Sequence, residues 1–198
     1  ISYLDFETYT EPIPSYNNQR PNERMPFQFS LHIQEDENTI IDAKTKSIEF
    51  LANHLTDPRQ DIAEALLKDI PQNGTIITYH KSFEKGVIEE LAKFSSDPEI
   101  SSNLRALNER IVDLKDPFSD GGYYHPDFAG SFSIKKVLPA LCKGDKNLDY
   151  ENLNIKNGGM ASTAFRQLKN MNKNEVEKLR KDLRKYCWLD TYAMYAIF

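Results

Sequence analysis

The opening segment of the chain, ISYLDFE at positions 1–7, alternates between two kinds of side chain. Alternate residues of an extended backbone share a face, which groups Tyr3 with Asp5 and Glu7, and Leu4 with Phe6. This period of two predicts a β-strand whose Leu4 and Phe6 face meets the hydrophobic core. The same period places two carboxylates on one face, about 7 Å apart at roughly 3.3 Å per residue.

Segments of strand character come first along the chain, and helical segments alternate with shorter strands after them. The predicted strands cover residues 1–7, 27–33, 39–43, 75–79 and 110–114. The predicted helices follow Asp57-Pro58, start at the capping residue Ser82, and cover residues 104–109, 133–141, 160–171 and 174–198. This order predicts an α/β fold with a mixed central sheet, in which three antiparallel strands precede parallel additions and helices cover both faces.

Composition narrows the class of protein further. With 198 residues, 39% hydrophobic residues and a formal net charge of −5, the chain is expected to form a single domain over residues 1–198. Its apolar runs are far shorter than the roughly 18 residues of a spanning helix, so we expect no membrane partner. Two cysteines are too few for a disulfide framework, which indicates a reducing, cytoplasmic location. Because the chain opens at Ile1 in a strand pattern, we expect it to be excised from a longer protein.

Three acidic motifs, far apart in sequence, suggest a metal site. Asp5 and Glu7 on one strand face repel each other unless a divalent cation reverses the sign of the interaction. Tyr186 and Asp190 are four residues apart and therefore neighbours on one helix face. Glu84 falls in the first turn of a helix, where the helix dipole alone would stabilise it. Each motif by itself also fits an ordinary solvated acid, and their joint occurrence favours the metal site.

The joint pattern resembles that of the DnaQ-like, or DEDD, superfamily of 3′-to-5′ exonucleases, which has a ribonuclease H-like fold. The matching positions are Asp5 and Glu7 in the first motif, residues 79–84 in the second, and Tyr186 with Asp190 in the third. The tyrosine is typical of the DEDDy subgroup. In the histidine subgroup the base lies five residues before the last Asp, where this chain has Lys185.

Three further segments resemble an uncharacterised bacterial domain family placed in that superfamily: PFQFS at 26–30, GSFSIKK at 130–136 and NGGMAS at 157–162. Proteins of that family tend to carry the domain at the C-terminal end, which implies a covalently linked N-terminal domain. The chain departs from the superfamily in having Glu84 and His80 where Asp and Asn are usual. The longer Glu implies either direct contact with a cation that Asp would reach through water, or a preference for Mn²⁺.

The resemblance implies a metal-dependent exonuclease that hydrolyses phosphodiester bonds of single-stranded DNA or RNA with two divalent cations, Mg²⁺ or Mn²⁺. It implies that Asp5 bridges both cations, that Glu7 and Asp190 complete the first, that Glu84 serves the second, and that Tyr186 orients the attacking water. Expected substrate contacts are His80, Lys81, Phe83, Tyr124 and Met160. Two alternatives stay open: a degenerate module that binds nucleic acid or a partner without cutting, and a phosphodiesterase of very short oligonucleotides.

Two other segments each admit two interpretations. Residues 166–185 hold eight Lys or Arg and three acids, which fits either a phosphate-binding surface or a solvated helical face. The aromatic residues between positions 118 and 132 either stack on nucleic-acid bases or anchor a long loop on the core.

Overall fold

Five strands form one mixed sheet in the computed structural model, which describes residues 1–198 apart from the side chain of Lys146. The strands are β1 (Ser2–Tyr9), β2 (Met25–Ile33), β3 (Ile48–Leu51), β4 (Ile76–Thr78) and β5 (Ile111–Asp113). Their order across the sheet is β3-β2-β1-β4-β5. The pairs β1–β2 and β2–β3 are antiparallel, whereas β1–β4 and β4–β5 are parallel. The predicted mixed α/β sheet, with its antiparallel start and parallel additions, is therefore confirmed.

Helices cover both faces of the sheet, as the sequence predicts. One face packs against α1 (Arg59–Asp69), α2 (Lys81–Phe94) and α3 (Pro98–Asn108). The other packs against α5 (Ile134–Leu141), α6 (Gly158–Gln167) and α7 (Lys173–Ile197). The short α4 (Asp116–Ser119) follows β5, and single 3₁₀ turns cover Pro126–Phe128, Lys146–Leu148, Tyr150–Asn152 and Leu168–Asn170. Of the helices in the described part of the chain, none has the length and apolar character needed to cross a membrane.

The central strand β1 is covered on both faces. Leu4 and Phe6 pack into the core beneath α1 to α3, whereas Tyr3 packs into the core beneath α5 to α7. The expectation that the Leu4 and Phe6 face meets the core is confirmed, and the opposite face also packs against a core. The face that carries Asp5 and Glu7 is also enclosed, because the long helix α7 crosses it.

The third strand lies later in the chain than the sequence pattern predicts. Residues 39–43 are not a strand and lie between turns at 37–38 and 43–44, and the strand that pairs with β2 is Ile48–Leu51. The side chains of Asp36 and Asp42 each accept hydrogen bonds from groups two and three residues further on. Such local side-chain bonds compete with a strand ladder, which explains why this β-branched segment is not a strand.

The helix after β4 begins one residue earlier than the predicted cap, Ser82. Its N-cap is His80, whose side chain makes no capping bond and whose φ of 94° lies in the left-handed region. Asp113 at the end of β5 accepts hydrogen bonds from the backbone N–H groups of His80 and Lys81, at 2.8 and 2.7 Å. A carboxylate from another strand therefore supplies the cap, and it holds a backbone conformation that is uncommon for a non-glycine residue.

Candidate metal centre

Three carboxylates from opposite ends of the chain meet on the α7 face of the sheet. Asp5 and Glu7 project from β1, and Asp190 projects from α7. One carboxylate oxygen from each residue can be chosen so that all three lie within 4.8 Å of one another. Oxygen-only ligand sets of this kind suit hard divalent cations such as Mg²⁺, Mn²⁺ and Ca²⁺. The cluster therefore has the chemistry to bind a metal ion.

The electrostatics of the cluster are unfavourable for the protein alone. Burial raises the pKa of Asp5 well above its ordinary value, and the charges of Asp190, Glu7 and Glu84 raise it further. Burial, followed by the charge of Asp190, also raises the pKa of Glu7 well above its ordinary value. Burial raises the pKa of Asp190 to about 6. A divalent cation would relieve this crowding, since it favours the charged form of every carboxylate around it.

Glu84 lies near these three carboxylates but does not belong to their cluster. It stands in the first turn of α2, which covers the opposite face of the sheet. Its side chain is 2% exposed, and Oε2 has no hydrogen-bond partner among the described residues. Burial raises the pKa of Glu84 to about 8, and the charges of Asp113 and Asp190 also raise it. A buried, unpartnered carboxylate oxygen is costly, which makes Glu84 a candidate ligand for a second ion.

Two tyrosines stand beside Asp190. Tyr186 precedes it by one helical turn, and both residues line a cavity of about 150 Å³ together with Asp5 and Glu7. Tyr150 donates a hydrogen bond of 2.6 Å from its hydroxyl group to Oδ1 of Asp190. Burial raises the pKa of the Tyr186 phenol. Tyr186 therefore stays protonated at neutral pH, which suits a group that orients water better than one that removes a proton.

Tyr150 and Lys135 are residues of this site that sequence reasoning missed. Lys135 lines the same cavity, and its Nζ lies 5.1 Å from the ring centre of Tyr150 and 5.4 Å from that of Tyr186. Its ammonium group donates to the backbone oxygen of Lys156. Tyr150 lies 40 residues before Asp190 in a 3₁₀ turn, so no helical or strand spacing links the two. The only signal for Lys135 was its place in the GSFSIKK segment, at 130–136.

The five predicted substrate contacts lie outside the residues that line this cavity. His80 occupies the N-cap position of α2, Lys81 pairs with Asp116, and the ring of Phe83 lies 4.9 Å from the guanidinium carbon of Arg24. Tyr124 and Met160 are exposed, at 59% and 41%. Any contact of these residues with a substrate would therefore fall on the surface around the cavity.

The basic segment 166–185 and the aromatic residues between positions 118 and 132 each admit two interpretations. In both segments some side chains pack against the protein and others are exposed. In the basic segment, Arg180 donates to the backbone oxygens of Leu51 and Ala52, and Arg184 pairs with Glu49, which ties α7 to the β3 region. In the aromatic loop, Phe128 is fully buried whereas Tyr124 remains exposed. Part of each segment is therefore used in packing.

Similar proteins cover nearly the whole chain. The uncharacterized protein MG366 of Mycoplasma genitalium is 30% identical over 98% of this chain and 31% of its own length. The MG366 homolog of Mycoplasma pneumoniae is 28% identical over 98% of this chain and 31% of its own length. The uncharacterized protein UU173 of Ureaplasma parvum is 30% identical over 98% of this chain and 30% of its own length. The chain thus spans about a third of the length of these relatives.

No solved structure matches the chain. The model of one protein family matches residues 2–133, which include Asp5, Glu7 and Glu84 and end before α7. On that match, the chain belongs to the family described as "Domain of unknown function (DUF2779)".

Proposed function

We propose that this domain is a metal-dependent 3′-to-5′ exonuclease of the DnaQ-like superfamily, DEDDy subgroup, and that it acts on single-stranded DNA or RNA. The observation that carries the proposal is the convergence of Asp5, Glu7 and Asp190, with ligand atoms within 4.8 Å of one another. The resemblance selects these same residues from motifs at opposite ends of the chain.

The sheet supports a ribonuclease H-like fold as part of this proposal. That fold implies three antiparallel strands followed by parallel additions, with helices on both faces. The observed order β3-β2-β1-β4-β5, with the acidic pair on the central strand, agrees with it.

Each residue of the site has a separate role in the proposed reaction. Asp5, Glu7 and Asp190 would hold one divalent cation, and Asp5 with Glu84 would hold a second. Bound cations of this kind supply an activated water molecule and neutralise the charge that develops on the phosphate. The Tyr186 hydroxyl group would orient the attacking water, since the phenol keeps its proton.

An acidic cavity is compatible with a polyanionic substrate once cations are bound. Four ligand carboxylates and two divalent cations neutralise each other, so the loaded site repels a phosphate no more than a neutral surface does. We therefore expect substrate binding in this site to require the metal.

A time course on 5′-labelled single-stranded DNA and RNA, with Mg²⁺, Mn²⁺ or a chelator, tests the proposal. We expect a ladder that shortens from the 3′ end only when metal is present. Asp190→Asn should abolish the ladder, whereas Asp36→Asn, which changes an exposed acid, should leave it intact. If the wild-type protein leaves every strand uncut with either metal, the proposed function is wrong. Dinucleotide substrates in the same assay test for an enzyme of very short oligonucleotides.

One observation favours a second candidate, a module that binds nucleic acid without cutting it. Glu84 lies outside the three-carboxylate cluster, so the second cation depends on a residue that the cluster does not include. In that case the protein would bind labelled strands in the presence of metal and release no mononucleotide.

A further inference from the structure

Lys135 is a cation inside an acidic cavity, and it forms no ion pair there. It lines the cavity of about 150 Å³ with Asp5, Glu7 and Asp190. Across the described side chains, no carboxylate oxygen lies within 4.0 Å of its ammonium nitrogen. The ammonium group is held by the Lys156 backbone oxygen and lies near the rings of two tyrosines. It therefore keeps hydrogen-bonding capacity beyond its bond to Lys156, because a lysine ammonium group has three donors.

Lys135 lines the same cavity as the three carboxylates, which suits the binding of a phosphate group there. A cation bound by Asp5, Glu7 and Asp190 would take its remaining oxygen ligands from the cavity side. Lys135 is the cationic residue among those that line this side. Asp5, Glu7 and Asp190 would supply the metal for a phosphate in this cavity, and Lys135 would supply a positive charge, since lysine binds phosphate as a point charge.

Local helix chemistry does not account for a lysine at this position. Lys135 lies in the first turn of α5, where Ser133 makes no side-chain cap and where no acidic residue is present. A positive side chain in the first turn of a helix opposes the helix dipole. Lys136 follows in the same turn. An anion beside Lys135 would make this arrangement favourable.

We propose that Lys135 binds the phosphate group that undergoes hydrolysis, and that it is a substrate-binding residue of this site. This inference rests on the proposed function, because that function supplies the phosphodiester substrate and its nucleoside 5′-monophosphate product. The positive charge also lies close to the carboxylates that would hold the metal. Loss of the charge should therefore strengthen the binding of a divalent cation and weaken the binding of phosphate.

These opposite changes in metal affinity and phosphate affinity distinguish substrate binding from a purely structural role. A lysine that only supports the fold of the cavity would, when replaced, weaken metal and phosphate binding together. A lysine that only neutralises the acids would change metal binding and leave phosphate binding unaltered.

The test is isothermal titration calorimetry, first with Mn²⁺ alone and then with adenosine 5′-monophosphate at saturating Mn²⁺. Wild type would be compared with Lys135→Met, Lys135→Gln, Lys135→Arg and the matched control Lys136→Met, with circular dichroism to confirm folding. We expect the two neutral variants at position 135 to bind Mn²⁺ several-fold more tightly and the nucleotide at least about tenfold more weakly. The arginine variant should bind the nucleotide better than the neutral ones, and the Lys136 variant should resemble wild type.

The inference is wrong if a folded neutral variant binds the nucleotide as tightly as wild type does, or if it loses Mn²⁺ and nucleotide together. The labelled-strand assay distinguishes failure of the Lys135 proposal from failure of the proposed exonuclease function. If the wild-type protein cuts strands and a neutral variant has the same KM and kcat, only the role of Lys135 is refuted. Wild type that cuts no strand refutes the exonuclease, and the calorimetry still decides whether Lys135 binds phosphate.

Discussion

The stability of the metal-free protein should fall as the pH rises from about 5 to about 8, and divalent cations should reverse that fall. The cause is the set of buried carboxyl groups around the cavity. Burial raises the pKa of Glu84 from 4.5 to about 8 and that of Asp190 from 3.8 to about 6. In this range the folded protein keeps protons on these carboxyl groups that the unfolded chain releases. The stabilisation from the bound protons is therefore complete below the pKa values of the unfolded chain. It is lost as the pH rises through the pKa values of the folded protein.

The magnitude follows from Glu84, whose side chain is 2% exposed and hence little screened by solvent. At about 1.4 kcal/mol for each tenfold change in proton affinity, a carboxyl pKa raised from 4.5 to about 8 corresponds to roughly 5 kcal/mol. Burial is the largest cause of this pKa, the charges of Asp113 and Asp190 raise it further, and the charge of Arg24 lowers it. Mn²⁺ at about 100 times its Kd would return about 2.7 kcal/mol.

The assay is urea unfolding between pH 5 and 8.5, followed by circular dichroism, with either a chelator or Mn²⁺. Glu84→Gln provides the matched variant, because it keeps the size of the side chain and removes its titration. We expect this variant to lose less stability than wild type between pH 6 and 8 without metal. A wild-type free energy of unfolding that stays level or increases over this range would refute the reasoning, as would an equal loss in Glu84→Gln.

Three other substitutions test the parts of the site separately. Tyr186→Phe should bind Mn²⁺ as wild type does and lose most of its hydrolytic rate, and normal turnover in the labelled-strand assay would remove Tyr186 from the reaction. Tyr150→Phe removes the 2.6 Å hydrogen bond to Asp190 and should weaken Mn²⁺ binding about tenfold by calorimetry, whereas unchanged affinity would show that Asp190 is oriented without it. Asp113→Ala leaves the backbone N–H groups at the start of α2 without their acceptor and should lower the free energy of unfolding by about 2 kcal/mol, measured with urea. An Asp113→Ala protein as stable as wild type would mean that water replaces this cap without cost.

The elements with a strong local period were predictable from the sequence. The alternation at positions 1–7 indicates β1, and the helical pattern from residue 174 indicates α7, whose observed range is Lys173–Ile197. The carboxylate pair on β1 and the Tyr186-Asp190 pair on α7 follow from the same two periods. Such features depend only on neighbours in the chain, so the pattern of residue types is enough to place them.

The sequence pattern misplaces the third strand and the start of α2, because hydrogen bonds outside that pattern decide where these two elements lie. The β-branched segment at 39–43 has the propensity of a strand, yet Asp36 and Asp42 accept hydrogen bonds from the backbone N–H groups of Asn38 and Lys44 in turns at its two ends. The start of α2 has a good local cap in Ser82, yet Asp113 from β5 binds the backbone before it. In both cases a hydrogen bond that propensity does not describe outweighs the local preference.

The sequence by itself determined which residue types share a face of β1 and of α7, because strand and helix periods are properties of the local backbone. Only the tertiary structure decided that these two faces meet, and that Glu84 stays outside the cluster of Asp5, Glu7 and Asp190. It also decided that Lys135 lines the cavity and that Tyr150 donates a hydrogen bond to Asp190. The physical reason is that carboxylates, a phenol and an ammonium group act over a few ångströms. Distances on that scale between residues far apart in the chain are set by how α5 and α7 pack on the sheet.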